Sequence, residues 1–333
     1  MKDQDPVFQS ESLVHTEGRL QHRPSSAARL NEDRNARRTF SIITVMPVFL
    51  IVAISVALIL KAWPIVGAQP LSKTIFGVAW HPEDGSFGFW PFITGTAWVT
   101  TVAMLLAVFP CIMVSLYLSE YAHAATRSLA KPVLDLLAAI PPVVYGVWGL
   151  LAIVPFVEHA VAPFAKRWLN QVPLFAVNQP TGFGILAGGI VLAVMVAPFI
   201  ISVLYEIFAT VPDDLRHASL AVGATRWQTI RSVVIPKVLP GIVAGVVLGA
   251  SRALGETIAV LMVIGNVVKV PTSIFDPAYP LPALIANNYG DMMSIPLYDA
   301  ALLGAALVLL VVILFFNMIS TLVLQRLLGR QWT

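Results

Sequence analysis

A chain of 333 residues that is 57% hydrophobic and only 12% charged, with a mean hydropathy of +0.80, has the composition of a membrane protein, not of a water-soluble globule. The net charge of +3 implies no nucleic-acid partner, because Lys and Arg are spread over tail and loops. A single cysteine, Cys111, excludes an internal disulfide, and six scattered His show no metal-ligand spacing, so no metal site is expected.

Residues 1–39 mix charges with Ser, Gln and Asn and lack a sustained apolar period, so a flexible tail is expected there. No secretory signal is expected, since the first apolar run opens only at Phe40. Six segments are then long enough to cross a bilayer: 40–60, 92–119, 136–157, 182–205, 238–265 and 300–325. Five of them contain no Asp, Glu, Lys or Arg. Helices are expected throughout, because hydrocarbon offers backbone groups no partner outside their own segment. Pro47, Pro110, Pro141, Pro142, Pro155 and Pro198 mark expected kinks or broken turns. The fold class is thus an all-α membrane protein with six transmembrane helices within a domain covering 40–330.

Between the fourth and fifth segments, the loop 208–237 contains the run Asp213–Pro236. Asp213 or Asp214 can cap a short helix. Gly223 can end it in a left-handed turn. Thr225-Arg226-Trp227-Gln228 fits a capping box that restarts a helix, and Pro236 sits where that helix meets the fifth segment. Leu215, Ala218 and Ala221 give the first helix a small apolar face. Such a knob suits a groove on another protein.

The fifth segment holds two charges, Arg252 and Glu256. Four residues apart on a continuous helix, they would share one face, with Arg252 near the middle. A charge there costs about 2.5–3.5 kcal/mol on insertion scales, so it usually faces a partner or a water-filled path. Two readings follow: an ion pair that only holds helices together, or a pair that meets a polar substrate. Gly241, Gly245, Gly249 and Ala253 recur every four residues, which lets a helix of this chain or of a partner approach closely.

Six crossings put both termini on one side. Fifteen Lys and Arg fall on that side; Lys61, Lys73, Lys166, Arg167 and Lys269 fall on the other. This bias places both termini in the cytoplasm. Trp63 and Trp90 lie at the opposite interface, as an aromatic belt requires, and the loops there have room for short interfacial helices. The chain has no Walker-type G-x-x-x-x-G-K-[ST] segment, nucleophile elbow or HExxH motif, so it is not expected to be an enzyme.

The segment from His217 resembles the EAA loop of ABC-importer permeases: Glu-Ala-Ala, three residues, Gly, nine residues, Ile, any residue, Leu-Pro. His217-Ala218-Ser219, Gly223, Val233 and Ile235-Pro236 occupy those positions with the Gly-to-Pro spacing intact. His217 stands where the family has Glu, and Ser219 where it has the second Ala. Arg252-Ala253-Leu254-Gly255-Glu256-Thr257 is similar to the signature of phosphate-specific (Pst) transporter permeases. The run from Leu137 to Gly149, reading LAAIPPVVYGVWG, is similar to their third-span motif. Ile264-Gly265-Asn266 and Phe89-Trp90-Pro91-Phe92-Ile93 resemble the C-type subunit.

The resemblance implies a type I ABC-importer permease fold in the bacterial inner membrane. It implies a second related permease, two ATPase subunits and a periplasmic phosphate-binding protein as partners, and no cofactor. Arg252 and Glu256 would line the substrate pathway; His217, Ala218, Ser219, Gly223 and Pro236 would belong to the ATPase-coupling loop. Two alternatives stand beside this reading: a permease for another oxyanion (sulfate, molybdate or phosphonate), and a membrane sensor or scaffold that relays ligand occupancy.

Overall fold

The computed structural model describes residues 26–169, 171–290, 295 and 297–329. The chain divides into two units, one ending at Val56 and one beginning at Ala57. Among the described residues, six helical segments are long and apolar enough to cross a membrane: Arg34–Ile65, Trp90–Glu120, Pro142–Trp168, Ile185–Ala209, Arg226–Leu254 and Tyr298–Gln325.

The first unit is the leading part of helix α1 (Ser26–Ala68). Helix therefore reaches back to Ser26, into the stretch expected to be a flexible tail; the rest of that tail, 1–25, lies outside the described residues. The reason is local. Ala27, Ala28, Arg29, Leu30 and Glu32 are good helix formers, and extending an existing helix costs far less than nucleating one.

In the second unit, α2 (Leu71–Phe76) and a two-residue hairpin, β1 (Trp80–His81) with β2 (Ser86–Phe87), precede α3 (Trp90–Glu120). Gly85, at φ +69°, makes the hairpin turn. Beside it Trp80 packs edge-on to Phe87 and Phe92, and Phe92 meets Tyr279, forming an aromatic core that also takes in Phe89 and Tyr298.

Next come α4 (Ala124–Ala139), α5 (Pro142–Trp148), α6 (Val154–Phe156) and α7 (Ala162–Trp168). Two π-helical turns, Gly149–Ile153 and Val157–Val161, join the last three; a third, Ile230–Val234, lies further on. Each ends two residues before a proline: Pro155, Pro163 and Pro236. Proline has no N–H to close the ordinary α-helical bond, and the ladder widens by one residue just ahead of it.

The remaining helices are α8 (Ile185–Ala209), α9 (Asp213–Ala221), α10 (Arg226–Thr229), α11 (Ile235–Leu254), α12 (Ile258–Leu261), α13 (Leu281–Asn288) and α14 (Tyr298–Gly329). α8 is the centre of the core: Ile185, Leu192, Ile200, Leu204 and Phe208 are fully buried on it. α3 lies along one side, with Gly188 against Val99 and Gly189 against Val102. On the other side the stripe read from the sequence settles on α8 itself: Gly241 faces Ile207, Gly245 faces Leu204 and Gly249 faces Ile200. α11 thus runs antiparallel to α8, at a distance that small residues alone permit.

A Cβ at Gly249 would come within 2.5 Å of Ile200 Cγ1, whereas one at Gly67 meets nothing within 4 Å. Gly249→Val should therefore sharply lower the yield of monodisperse, detergent-solubilised protein, while Gly67→Ala should leave it unchanged or slightly raised; size-exclusion profiles and melting temperatures compare the two.

Candidate substrate pathway and coupling loop

Two crossings are broken, and the breaks face each other. α11 stops at Leu254, where Gly255 ends the helix. The expected continuous fifth segment, 238–265, is therefore not one helix, and Arg252 lies in its last turn rather than at the centre of a longer one. Glu256 falls beyond the helix end, so the expected shared face does not form. A glycine followed by Glu256 and Thr257, both able to bond locally, favours termination here. Glu256, half-buried, accepts a hydrogen bond at Oε1 from the Ala259 N–H at 3.3 Å, at the start of α12.

The third crossing differs too. Leu136–Ala139, expected to open it, belong to α4. The chain then passes through extended backbone at Ile140 and Pro141 before α5 begins. The pair Pro141–Pro142 supplies neither N–H nor helical freedom to the preceding residue, so the helix must break. Gly146 of α5 packs on Ala259 and Met262, and Gly149 on Val191 and Val263. The start of α5 therefore lies beside the break in the fifth crossing.

Arg252 sits at this seam. Its guanidinium lies over the Phe199 ring, 4.8 Å from the centroid, and within electrostatic reach of Tyr145. Phe199 lies part-way along α8, about 21 Å from one end and about 15 Å from the other at 1.5 Å per residue. Arg252 is exposed, and among the described residues none of the ion pairs involves it. The ion-pair reading of Arg252 and Glu256 is thus not what the geometry presents. The helix C-terminus offers Arg252 a partial negative charge, and the ring face offers a cation–π contact; its N–H groups remain available to an anion.

Towards the hairpin face, residues 262–278 are without helix yet keep their backbone bonded. Gly265 pairs with Ala278, and the Gly184, Ile185 and Leu186 N–H groups opening the fourth crossing donate to Val263, Asp276 and Ile274 carbonyls. Asn266 adopts a left-handed φ of 51°, its amide donating to Leu261 O. It lines a cavity of about 380 Å³ with Gln179, Thr181, Phe183 and Met262.

The buried carboxylate of Asp276 locks this loop. It accepts from the Thr272 and Ser273 N–H groups, the Thr272 hydroxyl, Asn178 and Lys269. Burial pushes its pKa up, but these donors outweigh that and hold it at about 2, against 3.8 for an ordinary Asp.

At the opposite end lies the knob. Gly223 adopts φ +86° and ends α9 as expected, and the Thr225–Gln228 capping box is formed in both directions. The expected Asp cap is absent: Pro212 occupies the N-cap, and Asp213 and Asp214 lie in the first turn, where they favour the helix dipole without capping it. His217 and Ala218 are exposed, Ser219 bonds Thr229 across the turn at 2.9 Å, and Val222 at the tip is 85% exposed. Pro236 lies in the first turn of α11.

Sequence reasoning passed over Glu120 and Arg216. Glu120, at the end of α3, is 7% exposed and paired with Arg216 of α9 at 2.9 Å. A lone Glu closing an apolar run, with an Arg in the following loop, was the available signal.

Residues 111–329 match the family of binding-protein-dependent transport system inner membrane components, and the chain belongs to that family. It is an integral, multi-pass permease subunit. Among its relatives, the phosphate transport system permease protein PstC of Xylella fastidiosa (strain 9a5c) is 34% identical over 293 residues, covering 86% of this chain and 89% of that one. The PstC of Mesorhizobium japonicum is 36% identical over 256 residues, covering 76% and 78%. A solved inward-facing chain of the MetNI methionine ABC transporter aligns over 69% of this chain and 94% of that one at 20% identity, with a TM-score of 0.48.

Because Asp276 titrates lower folded than unfolded, its ionised form stabilises the protein above about pH 4, by on the order of 2 kcal/mol, and this is lost as pH falls towards 2. Asp276→Asn should lower the melting temperature at pH 7 and flatten its decline between about pH 5 and pH 2; thermal unfolding against pH checks both.

Proposed function

We propose that the chain forms half of the membrane pathway of an ATP-driven importer of inorganic phosphate. It works beside a second related permease, two ATPase subunits and a periplasmic phosphate-binding protein. The knob face and both termini are cytoplasmic, following the Lys/Arg bias. The hairpin face looks outward and receives phosphate from the binding protein.

The observation that carries this reading is Arg252, exposed at a seam between two broken crossings. Phosphate at neutral pH is a mixture of mono- and dianion. A guanidinium presents parallel N–H groups that match two of its oxygens. Broken helices that expose polar groups near mid-membrane are how many transporters build sites there. Glu256, beyond the helix end, gives the seam a negative charge. It can accept the O–H of a protonated phosphate and keeps the anion from being trapped, and conduction needs that weakness. The names of the relatives favour phosphate over sulfate or molybdate, since they share an identity of 34–36% with this chain.

Coupling follows from the knob. Its exposed tip at Val222 and the faces carrying His217 and Ala218 dock on an ATPase. Nucleotide-driven closure of two ATPases displaces the knob, and α11, continuous with α10 through the π-helical turn, carries that displacement to Arg252. Access then alternates between the two faces.

The test is phosphate uptake by the complete complex in liposomes, with sulfate and molybdate as competitors. Arg252→Gln should insert and assemble normally yet lose uptake by more than about tenfold, as expected for loss of charged hydrogen bonds. Uptake at the normal rate would remove Arg252 from the pathway, and stronger inhibition by sulfate than by phosphate would reassign the substrate. Glu256→Gln should change the pH profile of uptake across pH 6–8, because its carboxylate repels the dianion. Superimposable profiles with a less stable complex would leave Glu256 with only a structural role, through its bond to the Ala259 N–H.

A further inference from the structure

The knob is tied to the membrane helices by more than its own backbone. Covalently it hangs from α8 through residues 210–212 and runs on into α11. A third attachment reaches α3, which has no direct chain connection to the knob. Arg216 of α9 donates from Nη2 to Glu120 Oε1 at 2.9 Å and from Nε to Glu120 Oε2 at 3.3 Å. The same guanidinium donates from Nη2 to Phe208 O at 3.1 Å and from Nη1 to Val211 O and to Asp213 Oδ1. One side chain thus holds the last residue of α3, the end of α8 and the first turn of α9 together.

The surroundings show why this attachment matters. A cavity of about 430 Å³ opens between these elements, lined by Ser119, Tyr205, His217, Leu220 and Arg226 together with the pair. Side-chain packing does not fill that space, and Arg216–Glu120 bridges it. Pro212, extended at ψ 140°, separates α8 from α9 and is a natural pivot. Arg216 spans the pivot by bonding carbonyls before it and the carboxylate beyond. The end of α3 is itself fixed: Arg127 of α4 donates to Leu118 O at 3.0 Å and to Ser119 O. Glu120, at 7% exposure, accepts from Arg216 and, at 3.3 Å, from the neighbouring Ser119 hydroxyl.

We propose that Arg216 and Glu120 form a positioning pair that makes α3, and α8 packed along it, move with the knob when the ATPase displaces it. The proposal rests on the reading of the knob as the coupling element. Without the pair, α9 turns about Pro212 while α3 stays in place, the displacement reaches the seam through α11 alone, and less phosphate is moved per ATP. A pair needed only to hold the fold would change the amount of complex, not the ratio of its two activities.

The experiment uses the full transporter with its binding protein, in liposomes. Phosphate uptake and ATP hydrolysis are measured together for wild type, Glu120→Gln and Arg216→Lys, each normalised to assembled complex. Gln keeps the shape of Glu120 without its charge. Lys keeps the charge of Arg216 but cannot reach all three segments at once. We expect ATP hydrolysis within about twofold of wild type, and phosphate moved per ATP lowered about tenfold, on the scale of lost charge-assisted hydrogen bonds. Glu120→Asp, which restores the charge on a shorter stem, should recover part of the ratio. An unchanged ratio in either assembled variant, or failure of both to assemble, overturns the pair's positioning role. If the wild-type complex itself shows no ATP-driven uptake, the coupling reading falls and this proposal with it; a coupled wild type beside coupled variants removes the pair alone.

Discussion

Hydrocarbon cannot hydrogen-bond, so every backbone N–H and C=O placed in it must find a partner within the protein. This constraint makes a transport pathway difficult to build, because a site needs exposed polar groups where an unbroken helix offers none. This chain breaks two helices where neighbours can take over the freed groups. The fifth crossing ends as helix at Leu254, and its continuation is bonded instead to the start of α8, through Val263, Ile274 and Asp276. Each π-helical turn accommodates a proline without leaving the ladder. The price of irregular backbone is met by α8, the most deeply buried helix.

The seam follows from where the breaks fall. Gly146 of α5 and Gly149 of the following π-helical turn leave room for Ala259 and the side chains of Met262, Val191 and Val263 to close on them, bringing Tyr145 towards Arg252. Arg252 gains from the end of α11 and from the Phe199 ring, both weak partners compared with a carboxylate. A guanidinium held by weak partners keeps its orientation while remaining free to exchange them for an anion. The knob, at the other end of α11, is rigid within itself, through the Gly223 turn, the capping box and the Ser219–Thr229 bond.

Much of this was legible in the sequence because it depends on local chemistry. Apolar runs gave the six crossings to within a few residues, except where helices break. Gly223, Thr225 and Gln228 encode the knob through backbone angle and capping, which need no tertiary information. The breaks were less legible: Pro141–Pro142 and Gly255 were visible as helix breakers, but the course of the chain after Gly255 depends on bonds between loop 262–278 and residues 184–186, which are distant in sequence. For the same reason the spacing of Arg252 and Glu256 predicts a facing pair, whereas the helix ends between them. Arg216–Glu120 joins residues 96 apart and carries no periodic signature. The Asp276 lock draws on Asn178, likewise far away along the chain.

The central claim is that the Arg252 seam is part of the path of the transported anion. The most direct measurement is labelling of Thr257→Cys, beside the break, by a membrane-impermeant anionic thiol reagent in the assembled transporter. The native Cys111 is 1% exposed, which keeps the background low. The account expects labelling from the outer face in one nucleotide state and from the inner face in the other, slowed by phosphate but not by chloride. Labelling indifferent to both nucleotide and phosphate would contradict it.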